Sequence, residues 1–140
     1  EIQIIWQCGS LYDEMYKELS CDEVKILAFV NEMDQLYASA DFIISRAGAA
    51  TLSELSCVGK PAILIPSPNV AENHQFHNAM AFANRNAAEV VTEKNLNMQF
   101  EGSFMTLLDE EKQKEFIQNL RQFAKPDAAK EIVNHIEKLL

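Results

Sequence analysis

Five short runs of branched and apolar residues recur along the chain, at 2–6, 24–29, 41–45, 62–66 and 88–91. Each is too short for a buried helix, and longer stretches of helical period separate them, at 11–19, 33–40, 50–58 and 73–83. That alternation predicts a parallel sheet flanked by helices, because each helical stretch is long enough for a right-handed crossover. After Val91 the strands stop. Helices are expected at 96–108 and 110–124, followed by one capped by Asp127 that carries Ile132, Ile136 and Leu139 on one face. Pro126 separates the last two. The expected architecture is α/β and Rossmann-like, with helices at its C-terminal end. With 140 residues, 48% of them hydrophobic, the chain can bury one ordinary core. No repeat, low-complexity tract or flexible linker divides it, so residues 1–140 are read as one domain.

Charge narrows the partners. Twelve Lys and Arg against 21 Asp and Glu give a net charge of -9, which provides no basic field to draw in a nucleic-acid backbone. No apolar run approaches the length needed to cross a bilayer, and the N-terminus lacks the basic-then-apolar pattern of a signal peptide. Cys8, Cys21 and Cys57 are odd in number and never paired as C-x-x-C, so neither a disulfide framework nor a zinc knuckle is signalled. A reducing, cytosolic setting fits, and the cysteines are expected to be buried and inert. The start at Glu1, with a strand-like run immediately after it, reads as a piece of something larger.

Residues able to carry chemistry concentrate just after the expected strands, where open parallel sheets bind ligands. Ser45-Arg46-Ala47-Gly48-Ala49-Ala50-Thr51-Leu52-Ser53-Glu54 leaves a strand and enters a helix. Small residues there let a ligand approach the backbone, and a helix start offers unpaired N–H groups at the positive end of the macrodipole. A diphosphate can sit over residues 48–51, including Gly48, Ala49 and Thr51, with Arg46 as a planar cationic donor and the Thr51 hydroxyl as another. Glu54 can accept from both hydroxyls of a ribose. The same residues also suit tight helix-on-sheet packing, and an acidic group near a helix start is favoured by the dipole whatever it binds.

A second element follows the fourth strand. Pro66-Ser67-Pro68-Asn69 cannot continue a central strand, and the helix after it carries His74, Gln75 and Asn78 in its first turns. Spacings of three and four cluster these neutral donors and acceptors, which suits sugar hydroxyls and equally a capped surface helix. His74-x-x-His77 lacks further ligands at convincing spacing, so no metal is expected. His135 lies among Glu and Lys residues and reads as solvated. A third element, at Phe29 and Val30, ends the second strand. Its backbone groups can pair with the edge of a base, and its side chains can pack on the base or in the core.

Together these residues resemble the C-terminal domain of the peptidoglycan glycosyltransferases of family 28. The resemblance rests on Phe29-Val30-Asn31-Glu32-Met33, Tyr37-Ala38-Ser39-Ala40-Asp41, Ser45-Arg46-Ala47-Gly48-Ala49 with Thr51 and Ser53-Glu54, Gly59-Lys60-Pro61, Pro66-Ser67-Pro68, and Asn73-His74-Gln75 with Asn78-Ala79. It implies the C-terminal half of a GT-B glycosyltransferase that binds UDP-N-acetylglucosamine and transfers the sugar, with inversion, to a lipid-linked muramyl-pentapeptide at the cytoplasmic membrane face. It further implies uracil at Phe29 and Val30, ribose at Glu54, diphosphate at Arg46 and residues 48–51, and acetylglucosamine near His74, Gln75 and Asn78. No cofactor is implied, and the catalytic base belongs to a domain outside this chain. The glycine-rich first strand of the family's half is missing, which is expected to expose strand edges and to favour either a homodimer or a locally rearranged sheet. A two-chain UDP-acetylglucosamine transferase, a UDP-sugar epimerase module and a non-catalytic UDP-sugar sensor remain as alternatives.

Overall fold

A computed structural model describes residues 2–139 and divides the chain into two compact units, Glu1–Ser39 and Ala40–Leu140. In the first unit β1 (Ile4–Gln7) and β2 (Val24–Leu27) pair in parallel, Ile4 opposite Val24 and Gln7 opposite Leu27. Between them the expected helix at 11–19 is reduced to one turn, α1 (Asp13–Tyr16), and a 3₁₀ turn at Lys17–Leu19. None of the residues in these turns is buried, and so short a helix depends on packing for its stability. The aromatic ring of Trp6 lies 4.7 Å from that of Tyr16, while Leu11 is 92% exposed. After β2, α2 (Met33–Ser39) closes the unit.

The second unit holds a three-stranded parallel sheet in the order β3-β4-β5, from β3 (Ile43–Ser45), β4 (Ala62–Leu64) and β5 (Glu89–Val90). All three residues of β4 are buried, as expected of a central parallel strand covered on both faces. Backbone pairing outlasts the regular strands, since Ile65 N donates to Ser45 O and Val91 N to Leu64 O. Ile63 and Val91 pack with Leu107 of α5 (Leu96–Leu108) and Phe116 of α6 (Glu110–Leu120) in a core cluster. The crossovers are α3 (Ala49–Val58), which buries Leu52, Leu55 and Ser56, and α4 (His74–Ala83), which buries Ala79 and Phe82. Gly59 ends α3 in the left-handed region at φ 68°, and its N–H closes the last turn on Leu55 O.

Several expectations need correction. Helix α6 stops at Leu120 rather than 124, and Phe123, just beyond it, stacks on Phe82 at 4.1 Å under the Arg85 guanidinium. Asp127 occupies the N-cap position of α7 (Ala128–Glu137) but makes no side-chain cap bond, because its φ and ψ of -95° and 13° depart from the extended geometry that turns a carboxylate back on the helix. The face of α7 bearing Ile132 and Ile136 is exposed. Cys21 and Cys57 are exposed and Cys8 is half-buried, so the burial expected of the cysteines does not hold. Cys57 falls on the outer face of α3, which the helical period assigns to solvent once Leu52, Leu55 and Ser56 face the sheet.

Leu55→Ala is expected to cost roughly 2–5 kcal/mol through the cavity it leaves. Gly59→Ala should cost about 1 kcal/mol through strain at positive φ. Met98→Ala, at an exposed site, should stay within about 0.5 kcal/mol of the parent. Urea denaturation of the three variants checks this order.

Candidate functional site

The carboxyl ends of β3, β4 and β5 meet at one edge of the second unit's sheet. Beyond β3 the chain passes through Arg46 and the fully buried Ala47 to Gly48, whose extended φ and ψ of -67° and 147° turn it into α3. The first helical bond runs from Leu52 N to Gly48 O at 2.9 Å. Gly48 has no side chain to cap the helix, so its first-turn N–H groups have no capping partner there. Neither the backbone nor the neighbours demand glycine, since a Cβ at 48 would meet only the Thr51 hydroxyl at an ordinary 3.7 Å. What the missing side chain leaves is open backbone N–H groups at the positive end of α3.

Arg46 extends over the neighbouring strand ends. Its Nη1 donates to Ile65 O beyond β4 at 3.3 Å and to Glu93 Oε1 beyond β5 at 2.5 Å, with the side chain still 54% exposed. Asn78 Nδ2 of α4 donates to Ala47 O at 3.2 Å, and Gln75 Oε1 accepts from Ser67 N at 2.9 Å. Two interactions thereby fix the start of α4 against the loop of β4 and the turn of β3. Before α4, Glu72 and Asn73 take positive φ of 53° and 52°, which reverses the chain sharply enough to bring Gln75 back onto Ser67.

The structure thus brings together Arg46, Gly48, Ala49, Thr51, Gln75 and Asn78. His74 is exposed, and its Nδ1 lies 2.9 Å from Ala71 O, so its ring is tied to its own turn. Glu54 is exposed in the second turn of α3. In the first unit Phe29 is 67% exposed rather than core. The Val30 N–H, expected to be open to a base edge, already donates to Gln7 Oε1 at 2.9 Å, because the Gln7 amide at the end of β1 reaches the turn after β2. Sequence reasoning missed two partners, Gln7 and Glu93. Gln7 ends β1 and Glu93 lies three residues beyond β5, and that position near a strand end was the available signal. A cleft of about 320 Å³ between α4, β5 and α6, lined by Phe76, Met80, Val90, Lys112 and Phe116, includes none of the ten expected site residues. Among the described residues no group of three or more His, Cys, Asp or Glu is placed to hold a metal.

The chain matches the glycosyltransferase family 28 C-terminal domain over residues 1–138. It is 51% identical over 99% of its length to a UDP-N-acetylglucosamine–N-acetylmuramyl-(pentapeptide) pyrophosphoryl-undecaprenol N-acetylglucosamine transferase of Flavobacterium psychrophilum, and 48% identical to the transferase of the same description from Christiangramia forsetii. It spans 38% of the length of each of these relatives. The crystal structure of Acinetobacter baumannii MurG superposes with a TM-score of 0.85 at 31% identity, covering 97% of this chain and 43% of that one.

Removing the amide that joins α4 to the β3 turn should be felt locally. Asn78→Ala is expected to cost about 1 kcal/mol of stability and to speed amide exchange at residues 46–50. Chemical denaturation with hydrogen exchange measures both, and unchanged exchange there would show that the Asn78 bond does not hold the turn.

Proposed function

The chain belongs to the glycosyltransferase family 28 C-terminal domains, and from that premise we propose that it binds UDP-N-acetylglucosamine as the donor half of an inverting N-acetylglucosaminyltransferase. The acceptor in this reading is the lipid-linked muramyl-pentapeptide, and the product is the disaccharide precursor of peptidoglycan. The observation that carries the reading is the uncapped start of α3 beside an exposed guanidinium, both at the carboxyl end of a parallel sheet. It explains how a chain of net charge -9 can take an anionic donor. The backbone N–H groups of residues 49–51 and one arginine supply positive potential where the diphosphate sits, without a basic surface.

The acceptor hydroxyl attacks the anomeric carbon and displaces UDP in line. Charge grows on the leaving diphosphate as that bond breaks, and the α3 dipole with Arg46 stabilises it without reorganising. Gln75 and Asn78 each spend one group on the protein, the Oε1 and one Nδ2 hydrogen, and offer their remaining amide groups to sugar hydroxyls. His74 adds an exposed ring edge. Glu54 accepts from the ribose. The resemblance to the family assigns the uracil to Phe29 and Val30 of the first unit, where the Val30 N–H exchanges its Gln7 partner or the neighbouring carbonyls serve instead. The base that accepts the acceptor proton lies outside this chain. No helix among the described residues is long and apolar enough to cross a membrane. A lipid-linked acceptor places the parent enzyme at the cytoplasmic membrane face through other parts of the protein. Among the described residues β3 and β5 are the two outer strands of their sheet, and either gives a second copy an edge to pair with and the isolated chain a route to a homodimer.

Calorimetric titration tests the donor reading. Arg46→Ala should weaken UDP about tenfold and leave uridine unchanged, whereas Glu54→Ala should weaken UDP and uridine together by about tenfold or more. Equal affinities in parent and both variants would place the donor elsewhere. Sedimentation velocity should show the isolated chain as a dimer, and a monomer at every concentration tested would end the edge-pairing proposal.

A further inference from the structure

We propose that Glu93 is a positioning residue for the diphosphate site, acting through Arg46; the inference rests on the donor-binding reading above. A guanidinium has five N–H donors in a rigid plane, two on each Nη and one on Nε. Both protein acceptors that Arg46 finds, Ile65 O and Glu93 Oε1, lie on Nη1. The three donors on Nη2 and Nε have no partner among the described residues. A guanidinium held by one corner presents its opposite edge as a preformed two-pronged donor, the geometry that matches two oxygens of a phosphate or diphosphate.

The fold supplies the two holding atoms independently. Ile65 O leaves the sheet just beyond β4, and Glu93 stands just beyond β5 at the start of a 3₁₀ turn, Glu93–Asn95. Each is fixed by backbone pairing rather than by the arginine, since Ile65 N is bonded to Ser45 O, Val91 N to Leu64 O and Asn95 N to Thr92 O. The pair therefore acts as a fixed mount for a long side chain that would otherwise sample many rotamers, and a mount of this kind reduces the ordering cost of binding. A carboxylate beside the diphosphate also repels it. The geometry favours mounting over competition because Glu93 occupies only the Nη1 corner and leaves the other edge of the guanidinium open.

The same chain tests this with three proteins, the parent, Glu93→Ala and Glu93→Gln, each titrated with UDP and with uridine. Glutamine keeps an oxygen that accepts from Nη1 and loses the charge; alanine loses both. Expected are a loss of about tenfold for UDP in Glu93→Ala, a change within about threefold in Glu93→Gln, and unchanged uridine affinity in both. Nitrogen-15 spectra of the arginine side chains should show hindered rotation of the Arg46 guanidinium in the parent and in Glu93→Gln, and free rotation in Glu93→Ala. Tighter or unchanged UDP binding by Glu93→Ala overturns the proposal and leaves the donor reading intact, as does a Glu93→Gln that loses as much as alanine. Weakened uridine binding in the variants also overturns it, because the defect is then one of folding. A parent chain that binds uridine but gains nothing from the diphosphate of UDP brings down the diphosphate site itself, and this proposal with it.

Discussion

The second unit is organised by the obligation of β4 to pair every backbone group it buries. Ala62, Ile63 and Leu64 are shut off from solvent on both faces, so their N–H and C=O groups have only the neighbouring strands as partners. That demand fixes β3 and β5 in register on either side, Ser45 and Val90 both opposite Leu64. Pro66 then ends the strand, having no N–H to continue the ladder. Three chain ends leave the sheet at one level as a result. Arg46, the Ile65 carbonyl and Glu93 come within reach of one another because of that shared level, although 47 positions separate the two charged residues in sequence.

This arrangement shows how an acidic chain can present a small positive site. One guanidinium, partly neutralised by a carboxylate, is joined by backbone N–H groups at a helix start, and none of these alters the net charge of -9. The polar residues of α4 are arranged with similar economy. Asn78 and Gln75 each spend one side-chain group on holding the loops together and keep the others for a ligand. Stability and recognition thus draw on different atoms of the same amides.

Much of this was legible in the sequence. Period and run length located all five strands and the principal helices, and the small residues after Ser45 marked the turn into α3. What stayed illegible has physical causes. The extent of α1 depends on burial, and none of its residues is buried, which the pattern of Leu11, Met15 and Leu19 at helical spacing does not reveal. The Arg46–Glu93 pair depends on the common level of β3 and β5, a property of register rather than of local pattern. The Gln7 bond to Val30 N arises from parallel pairing of β1 with β2, which no spacing along the chain expresses. The cysteines misled because their typical burial is a statistical tendency, whereas Cys57 follows the helical phase set by Leu52 and Leu55.

The open start of α3 has a consequence for engineering. At the N-cap position that Gly48 occupies, a Ser, Thr, Asp or Asn would stabilise the helix start by roughly a few tenths of a kcal/mol over glycine. Space is available for such a side chain here, so a thermostabilisation screen scored on melting temperature alone would select it. The introduced oxygen would fold back on the same N–H groups that the proposed site offers to phosphate, giving a hardier protein that had become its own inhibitor.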